Sequence, residues 1–345
     1  MEIEKYYFRK NFRNKKRERY FSPVVNNKME VKMNYSKKIM TYASISVLFI
    51  TNVFGSSEHV CKDNPNWLPV EVERTLLHHF KAPAKTIKRN NQPHTFSEWK
   101  DSKSEKHQLS FEFKNSRNEE VVILTSSPND FNNHPFLETF GWNERNGRGL
   151  GYWKDFRSTP LDLANLSITM VFGIKNSEDM KNSLDPNNGD GRSGVFSTRI
   201  YSGHGNNFLF GTSDAYLVLH EGEVFFNVDI YAGENSKRLS TKVNYSTNYV
   251  TTFETSKRRN SGITDLKLYL NGKLMGAAEI DISPDEKVIY EDQLVFAQDG
   301  SQHGGALKVA EILVNEGGLG SHIVESFHEA LNNKFFLYYS ESSKQ

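Results

Sequence analysis

The sequence predicts an all-β fold, arranged as a sandwich or a barrel. Two observations carry this prediction: short segments in which apolar and polar residues alternate, and clusters of Gly, Asn, Asp and Pro between them. The alternating or continuously apolar segments lie at 109–113, 121–124, 168–172, 208–210, 216–219 and 224–230. The composition agrees, because 24 Phe, 15 Tyr and 23 Gly in 345 residues suit strands joined by turns. This succession of short strands argues against alternating β and α units.

The clearest single element is a β-hairpin centred on Asn271 and Gly272. Leu266, Leu268 and Leu270 alternate with polar or amphipathic residues, so one face of this strand is apolar. Asn-Gly supplies two residues that tolerate positive φ in a type I′ turn. We therefore expect a strand before Asn271 and its antiparallel partner directly after Gly272.

Two segments have helical spacing instead. The segment 70–80, stopped by Ala82-Pro83, predicts a short helix. Its apolar positions are Val72, Leu76, Leu77 and Phe80. Near the C-terminus a second apolar stripe predicts a closing helix with Ser321 as its N-cap. The stripe consists of Ile323, Val324, Phe327, Ala330 and Leu331.

The N-terminal region indicates export. The basic pair Lys37-Lys38 precedes an apolar, uncharged run at 39–54, and small residues suitable for cleavage follow at 55–57. The run has the length of a signal-peptide core and is short for a membrane span. We expect 1–57 to be a basic upstream extension plus a signal peptide or an N-terminal anchor, and 58–93 to be a linker with the short helix. The mature chain is then secreted or cell-surface, without a membrane span.

Charge and cysteine content narrow the class further. The net charge is +1, so no global field recruits nucleic acid, and we expect no nucleic-acid partner. A basic tail at 1–32 that binds nucleic acid or an anionic membrane is the alternative use of the Lys- and Arg-rich start. Cys61 is the only cysteine and cannot form an internal disulfide.

Several segments, taken in order, resemble the bacterial laminin G-like domain of the concanavalin A-like lectin/glucanase superfamily. The matching segments are Trp99-Lys100-Asp101-Ser102, the strand at 163–172, the stretch 194–197, Leu268-Tyr269-Leu270-Asn271-Gly272, the strand at 310–314 with Leu319, and the helix end at 331–335. The resemblance implies an antiparallel jelly-roll β-sandwich over 94–337, closed by a short C-terminal helix and followed by a polar tail at 338–345. This fold hosts lectins, glycosidases, adhesion modules and spacers, so the resemblance alone does not fix the function.

The carboxylates give little support to catalysis. A retaining glycosidase of this superfamily needs two carboxylates about 5 Å apart on one strand face. Glu279 and Asp281 imitate the first half of the family pattern, but Ser283 and Pro284 occupy the positions of the second Glu. Neither a Gly-x-Ser-x-Gly elbow nor a phosphate loop or dinucleotide fingerprint occurs.

A second carboxylate group lies at 221–229. Glu223 and Asp229 are six residues apart, so one strand places them on the same face but far from each other, with Phe225 and Asn227 between them. This pattern is more typical of a solvated or concave polar sheet face than of a catalytic pair.

Aromatic side chains beside loops rich in Asn, Asp and Gly are typical of carbohydrate sites. Such aromatics occur around the Gly-rich stretch 141–151, and polar residues from other loops are candidates to join them. The predicted ligand-binding residues are Trp142, Tyr152, Trp153, Asn206, Asn207 and Asp214. The alternative for the three aromatics is a place in the core or at a sheet edge.

A dense group of oxygen-bearing side chains predicts a Ca²⁺ site at the rim of the sandwich. Calcium prefers carboxylate, amide and carbonyl oxygens, which relatives with this fold use at such rims. The candidate ligands are Asp185, Asn187, Asn188 and Asp190. They lack the EF-hand spacing, and ordinary turn chemistry accounts for the same residue types.

Together these observations predict a secreted or surface-exposed lectin-like binding or adhesion module, without catalytic residues, that recognises a carbohydrate or a glycoprotein. Two alternatives stay open. One is a polysaccharide-active glycoside hydrolase with an unrecognised site, and the other is a structural or host-interaction protein without a small ligand.

Overall fold

The computed structural model describes residues 67–82, 98–103, 110–114, 123–125, 130–139, 151–155, 161–185, 191–198, 213–232, 235–281, 289–290, 293–296 and 305–338. The chain divides into two compact units, Met1–Val60 and Cys61–Gln345, and all described residues belong to the second. The predicted signal segment, Cys61 and the end of the polar tail lie outside the described residues. No helix within the described ranges is long and apolar enough to cross a membrane.

Three α-helices, one 3₁₀ turn (Phe131–Asn133) and eighteen strands make up the described secondary structure. The helices are α1 (Val70–Thr75), α2 (Glu178–Leu184) and α3 (Ser321–Phe335). The strands are β1 (Leu76–Lys81), β2 (Glu98–Lys100), β3 (Ser110–Lys114), β4 (Ile123–Thr125), β5 (Phe136–Glu138), β6 (Gly151–Asp155), β7 (Leu161–Asp162), β8 (Leu166–Ile174), β9 (Arg192–Ser197), β10 (Ser213–His220), β11 (Glu223–Ala232), β12 (Asn235–Val243), β13 (Asn248–Lys257), β14 (Ile263–Leu270), β15 (Lys273–Asp281), β16 (Ile289–Tyr290), β17 (Gln293–Phe296) and β18 (Leu307–Glu316).

The strands form two large antiparallel sheets. Sheet A has the order β15-β14-β13-β8-β18-β5-β4, and β1 pairs with the part of the β18 edge that β5 leaves free. Sheet B has the order β12-β11-β10-β9-β17-β6-β3-β2, and β7 and β16 form a small separate pair. The predicted all-β jelly-roll sandwich with a short C-terminal helix is confirmed.

The main core lies between the two sheets. Phe172 of β8 packs 5.8 Å, ring centre to ring centre, from Phe226 of β11, and Phe196 of β9 packs 6.3 Å from Phe253 of β13. All nine residues of β8 are buried, because one face of this central strand meets the core and the other is covered from outside. Each such ring removes a large apolar area from water.

A second apolar cluster covers the outward face of sheet A. It contains residues of α1, α3 and the turn at 131–133, packed on the strands beneath them. Its largest members are Phe131, Phe136, Tyr269, Phe327, Leu331 and Phe335. The predicted apolar stripe of α3 is confirmed for Val324, Phe327 and Leu331, which are fully buried.

The start of α3 differs from the prediction by one residue. The N-cap is Gly320, with φ of 83°, and Ser321 is the first helical residue. The Ser321 hydroxyl, which was expected to cap the helix, lies 2.9 Å from the Tyr269 hydroxyl and makes a hydrogen bond with it instead. The buried Glu254 carboxylate accepts hydrogen bonds from the Leu319 and Gly320 N–H groups and fixes the chain as it approaches the helix.

The helix expected over 70–80 ends at Thr75, and Leu76–Lys81 is a strand instead. Leu76 and Phe80 are four residues apart, and both a helix and a strand place such residues on one face. The spacing therefore does not distinguish a helix from a strand. Pairing with β18 favours the strand, because it gives hydrogen-bond partners to the backbone N–H and C=O groups of β18 that an uncovered sheet edge would expose.

The Asn271-Gly272 hairpin is confirmed. Asn271 and Gly272 have φ of 50° and 78°, as a type I′ turn requires. The Asn271 side chain accepts a hydrogen bond from the Val250 N–H at 3.1 Å. The Gly272 N–H donates to His328 Nδ1 of α3 at 2.8 Å, so this turn also fastens the helix to sheet A.

Candidate ligand-binding face

The outward face of sheet B differs in composition from that of sheet A. Val224, Phe226, Val228 and Ile230 of β11 point into the core, so the residues between them point outward. The polar face is defined here by Arg192, Asp214, Tyr216, Val218, Glu223, Phe225, Asn227, Asp229, Arg238, Ser240 and Lys242. The prediction that Glu223, Phe225, Asn227 and Asp229 share one face is confirmed.

Strand register arranges most of the polar face in three rows. Arg192, Val218, Phe225 and Lys242 are cross-strand neighbours in the first row. Tyr216, Asn227 and Ser240 form the second, and Asp214, Asp229 and Arg238 form the third. Cross-strand neighbours have Cβ atoms roughly 5 Å apart, so side chains on adjacent strands of one row can contact each other or the same ligand.

Polar contacts between β11 and β12 hold this face in place. The Arg238 guanidinium donates from Nε and Nη2 to the two oxygens of Asp229, at 2.6 and 2.9 Å. The Ser240 hydroxyl donates to Asn227 Oδ1 at 2.6 Å, and Lys242 Nζ donates to Glu223 Oε1 at 2.5 Å. Paired fork geometry makes the first of these contacts the strongest.

Tyr216 lies at the centre of the charged part of the face. The Arg192 guanidinium carbon is 4.5 Å from the ring centre, and that of Arg238 is 5.8 Å away. The Tyr216 hydroxyl donates to Asp229 Oδ2 at 2.8 Å. Burial, and then the neighbouring Asp229 charge, raise the pKa of Tyr216 to about 12, so the phenol is neutral at physiological pH. The hydrogen bonds to Asp229 likewise raise the pKa of Arg238 above its ordinary value.

Phe225 is the aromatic residue of the face that is partly open to solvent. Val218 lies beside it on β10 and Lys242 beside it on β12. Among the residues that the structure describes, none accepts a hydrogen bond from the Asn227 amide nitrogen, one row away. Asn227 is itself only 4% exposed, whereas Glu223 and Lys242 are exposed beside the ring. A partly exposed aromatic ring next to such groups can bind the apolar face of a sugar while the polar groups bind its hydroxyls.

Asp214, a predicted ligand-binding residue, lies in the third row directly opposite Asp229. It is 2% exposed and accepts a hydrogen bond from the Ser197 hydroxyl. Asp229 is 5% exposed, and Arg238 and Tyr216 together engage both of its oxygens. The pair therefore resembles a buried charge network more than two carboxylates open to a substrate.

Two other predicted ligand-binding residues, Tyr152 and Trp153, are not neighbours of Asp214 in sheet B. Tyr152 and Trp153 lie on β6, and β9 and β17 separate that strand from β10, so their backbones are roughly 15 Å from it. Trp153 is opposite Val295 in the register. The remaining predicted ligand-binding residues, Trp142, Asn206 and Asn207, lie outside the described ranges.

The calcium prediction falls mostly on residues that are not described. Asp185 follows α2 as its C-cap, and its N–H donates to the Asn182 carbonyl at 3.3 Å. The other candidates, Asn187, Asn188 and Asp190, lie outside the described ranges. Within those ranges, no three His, Cys, Asp or Glu residues form a group that could hold a metal ion. The Ca²⁺ site stays a prediction.

Glu279 and Asp281 lie on the outer edge strand of sheet A. Glu279 accepts a hydrogen bond from Arg258, which also binds Asp265. Ile280 between the two acids is buried, as expected for a strand with one apolar face. Arg258 therefore gives Glu279 an ordinary surface charge partner.

Sequence reasoning missed Arg192, Tyr216 and Arg238. One signal was present, since Arg238, Ser240 and Lys242 alternate with Leu239, Thr241 and Val243. That alternation predicts a strand with a polar face, but only the register between β10, β11 and β12 brings Tyr216 to Arg238.

No family model matches the sequence, and no curated protein matches it. Among solved structures, the chain is similar to the binding domain of botulinum neurotoxin DC in complex with rat synaptotagmin II (TM-score 0.45, 9% identity, 75% of this chain and 52% of that chain). It is also similar to the binding domain of Paraclostridial Mosquitocidal Protein 1 (0.45, 10%, 76% and 53%). A third similar structure is the botulinum neurotoxin type G receptor binding domain (0.42, 13%, 74% and 51%). The chain spans about half the length of each, and TM-scores below 0.5 carry no argument about its ligand or activity.

Proposed function

We propose that this chain is an exported, non-catalytic binding module that recognises a carbohydrate or a glycosylated partner through the polar face of sheet B. The observation that carries the proposal is Phe225, a partly open aromatic ring set among hydrogen-bonding and charged groups. Sugar-binding surfaces combine these two elements, because a pyranose has an apolar face and a polar rim. Export rests on the basic pair and apolar run at 37–54.

The preference for binding over hydrolysis rests on the state of the carboxylates. General acid or nucleophilic catalysis requires an oxygen that can reach the substrate. Asp229 has both oxygens engaged, and Asp214 is almost wholly buried.

The direct test is binding of the full chain to a broad glycan array, with and without a calcium chelator. We expect selective binding, and we expect Phe225→Ala to remove it. Leu274→Ala is the matched control, because Leu274 is an exposed apolar residue on sheet A. Loss of binding on chelation would direct attention to Asp185–Asp190, whereas binding indifferent to chelation would support the polar face alone.

Two results would overturn the proposal. Absence of binding to any glycan in either condition would favour a structural or host-interaction protein without a small ligand. Equal binding by Phe225→Ala and the parent chain would show that the ligand lies elsewhere.

One observation favours a second candidate, a polysaccharide-active hydrolase. Asp214 and Asp229 are cross-strand neighbours, and carboxylates about 5 Å apart are the arrangement of retaining glycosidases. Release of reducing ends from a polysaccharide, abolished in both Asp214→Asn and Asp229→Asn, would support this candidate. We expect no release from the parent chain, because Arg238 and Tyr216 already bind Asp229.

A further inference from the structure

Arg192 differs from the other cations of the polar face in its partner. Lys242 is paired with Glu223, and Arg238 is paired with Asp229. The described contact of the Arg192 guanidinium is the ring of Tyr216. Within the described ranges, Arg192 has no acidic side chain at ion-pair distance.

Among the residues that the structure describes, none accepts a hydrogen bond from the Arg192 guanidinium, whose described contact is the Tyr216 ring. At 4.5 Å from the ring centre, the guanidinium makes a cation–π contact, which requires none of its N–H donors for a hydrogen bond. Tyr216 does not neutralise the Arg192 charge, because its hydroxyl stays protonated and donates a hydrogen bond to Asp229. Asp229 is engaged in turn by both Arg238 donors. The network therefore orients Arg192 without compensating its charge.

We propose that Arg192 binds the acidic group, a carboxylate or a sulfate, of an acidic glycan. A planar guanidinium fork matches either group with two parallel hydrogen bonds. This inference rests on the proposed function and narrows its ligand from carbohydrates in general to acidic carbohydrates.

The row that contains Arg192 also supplies a place for the rest of such a ligand. Val218 and Phe225 are partly buried and follow Arg192 across the sheet, and Lys242 ends the row. Two strand spacings separate Arg192 from Phe225, roughly 10 Å, which is about the length of two sugar rings. A glycan held by its acidic group at Arg192 would thus place a neighbouring ring over Phe225.

The test compares acidic and neutral forms of the same glycans on the full chain. The probes are a non-sulfated polyuronate and its carboxyl-reduced form, a sulfated glycan without carboxylates and its desulfated form, and a sialylated oligosaccharide and its desialylated form. We expect at least one acidic probe to bind more tightly than its neutral partner. Which acidic probe binds will separate a carboxylate from a sulfate as the recognised group.

Three variants connect that preference to Arg192. Arg192→Gln should weaken binding of the acidic probe about ten- to a hundredfold, as expected for loss of hydrogen bonds to a charged group. Arg192→Lys keeps the positive charge but loses the two parallel N–H donors, so its affinity for the acidic probe should lie between those of the parent chain and Arg192→Gln. Lys237→Gln is the matched control, because Lys237 is exposed on β12 and lies opposite Ile230, which faces the core. Unchanged thermal unfolding of Arg192→Lys would show that its loss of affinity is not a loss of fold.

The outcomes separate this inference from the proposed function. If Phe225→Ala abolishes glycan binding but Arg192→Gln binds acidic probes as tightly as the parent chain, the Arg192 inference is wrong and the proposed function stands. Equal affinity of the parent chain for each acidic probe and its neutral form would also refute the Arg192 inference while the proposed function stands. If no probe and no array glycan binds, both proposals fail together.

Discussion

The two outward faces of the sandwich are built from the same strand geometry and differ in what fills the outward positions. On sheet A these positions hold Val250, Tyr269 and Leu313, which are buried beneath α1 and α3. On sheet B, β11 has the polar residues Asn227 and Asp229, 4% and 5% exposed, at its outward positions, and Phe225 is partly open to solvent. Under the proposed function, the covered face of sheet A stabilises the domain and the polar face of sheet B contacts the partner.

The covered face also contains ionisable groups that join separate parts of the chain. Glu311 of β18 binds His79 of β1 and Lys334 of α3, and Lys334 Nζ lies 4.4 Å from the ring centre of Trp67. His328 of α3 contacts both the hairpin turn and Thr252 of β13. Changes on this face should therefore act on stability, and changes on the polar face should act on binding.

The largest effect is expected from opening the covered face. Phe327→Ala removes a fully buried ring from the contact between α3 and sheet A, and should cost about 3–5 kcal/mol of unfolding free energy. Phe336→Ala is the control, because Phe336 is 71% exposed just beyond the same helix and should change stability by less than about 0.5 kcal/mol. Urea unfolding measures both. Equal stabilities of the two variants would contradict the role given to α3.

Removing the buried charge of Glu311 should have the next largest effect. Glu311→Gln leaves Lys334, which is 13% exposed, without its carboxylate, and should cost about 3 kcal/mol of unfolding free energy. Glu223→Gln breaks the exposed pair with Lys242 and should cost less than about 1 kcal/mol. The same denaturation measurement compares the two, and a cost for Glu223→Gln as large as that for Glu311→Gln would refute the distinction.

Acid should weaken the covered face through His328. Complete burial lowers the pKa of His328 to about 3, so it is neutral in the folded chain. The unfolded chain takes up this proton below about pH 6.5, so stability is retained above that pH and lost by about 1.4 kcal/mol per pH unit as pH falls toward 3. Burial opposes ionisation of Glu311 and Asp101, but hydrogen bonds with His79 and His78 outweigh it and lower the pKa values of the two carboxyls. Their protonation therefore adds a further loss only below about pH 4.5.

His328→Asn isolates the contribution of this histidine. The Asn side chain keeps an acceptor for the Gly272 N–H but does not titrate. Between pH 6.5 and 5, the unfolding free energy of the variant should therefore change less than that of the parent chain. Identical pH dependence in this window would show that His328 is not the group responsible.

Apart from the control variants, the smallest effect on stability is expected on the polar face. Phe225→Ala should cost about 1 kcal/mol or less of unfolding free energy, because the ring is partly open to solvent. Its effect on glycan binding should nevertheless be the largest of all variants considered. A stability loss as large as that of Phe327→Ala would instead assign Phe225 to the core.

Local patterns in the sequence predicted some elements well. The Asn271-Gly272 turn follows from the residue types at two adjacent positions, and the buried face of α3 follows from apolar spacing within 15 residues. The strand at Leu76–Lys81 was missed because its form depends on pairing with β18, whose partner residues follow at least 230 positions later, as in Lys81 and Glu311. Local spacing contains no information about such a partner.

The candidate site was predictable only in part for the same reason. A strand period of two places Phe225, Asn227 and Asp229 on one face, and the sequence showed this. The contact between Arg192 and Tyr216 depends on the register of β9 with β10, including a bulge after Ala215. The register has no signature in the residue types of those strands, whereas Gly194, beside the bulge, is a residue type that often marks one.

The most direct test of the division between the two faces is the affinity of Phe225→Ala for a glycan that the parent chain binds, measured together with its unfolding free energy. We expect binding to be lost while stability changes by about 1 kcal/mol or less. Unchanged affinity in a fully folded variant would contradict the assignment of recognition to the polar face of sheet B.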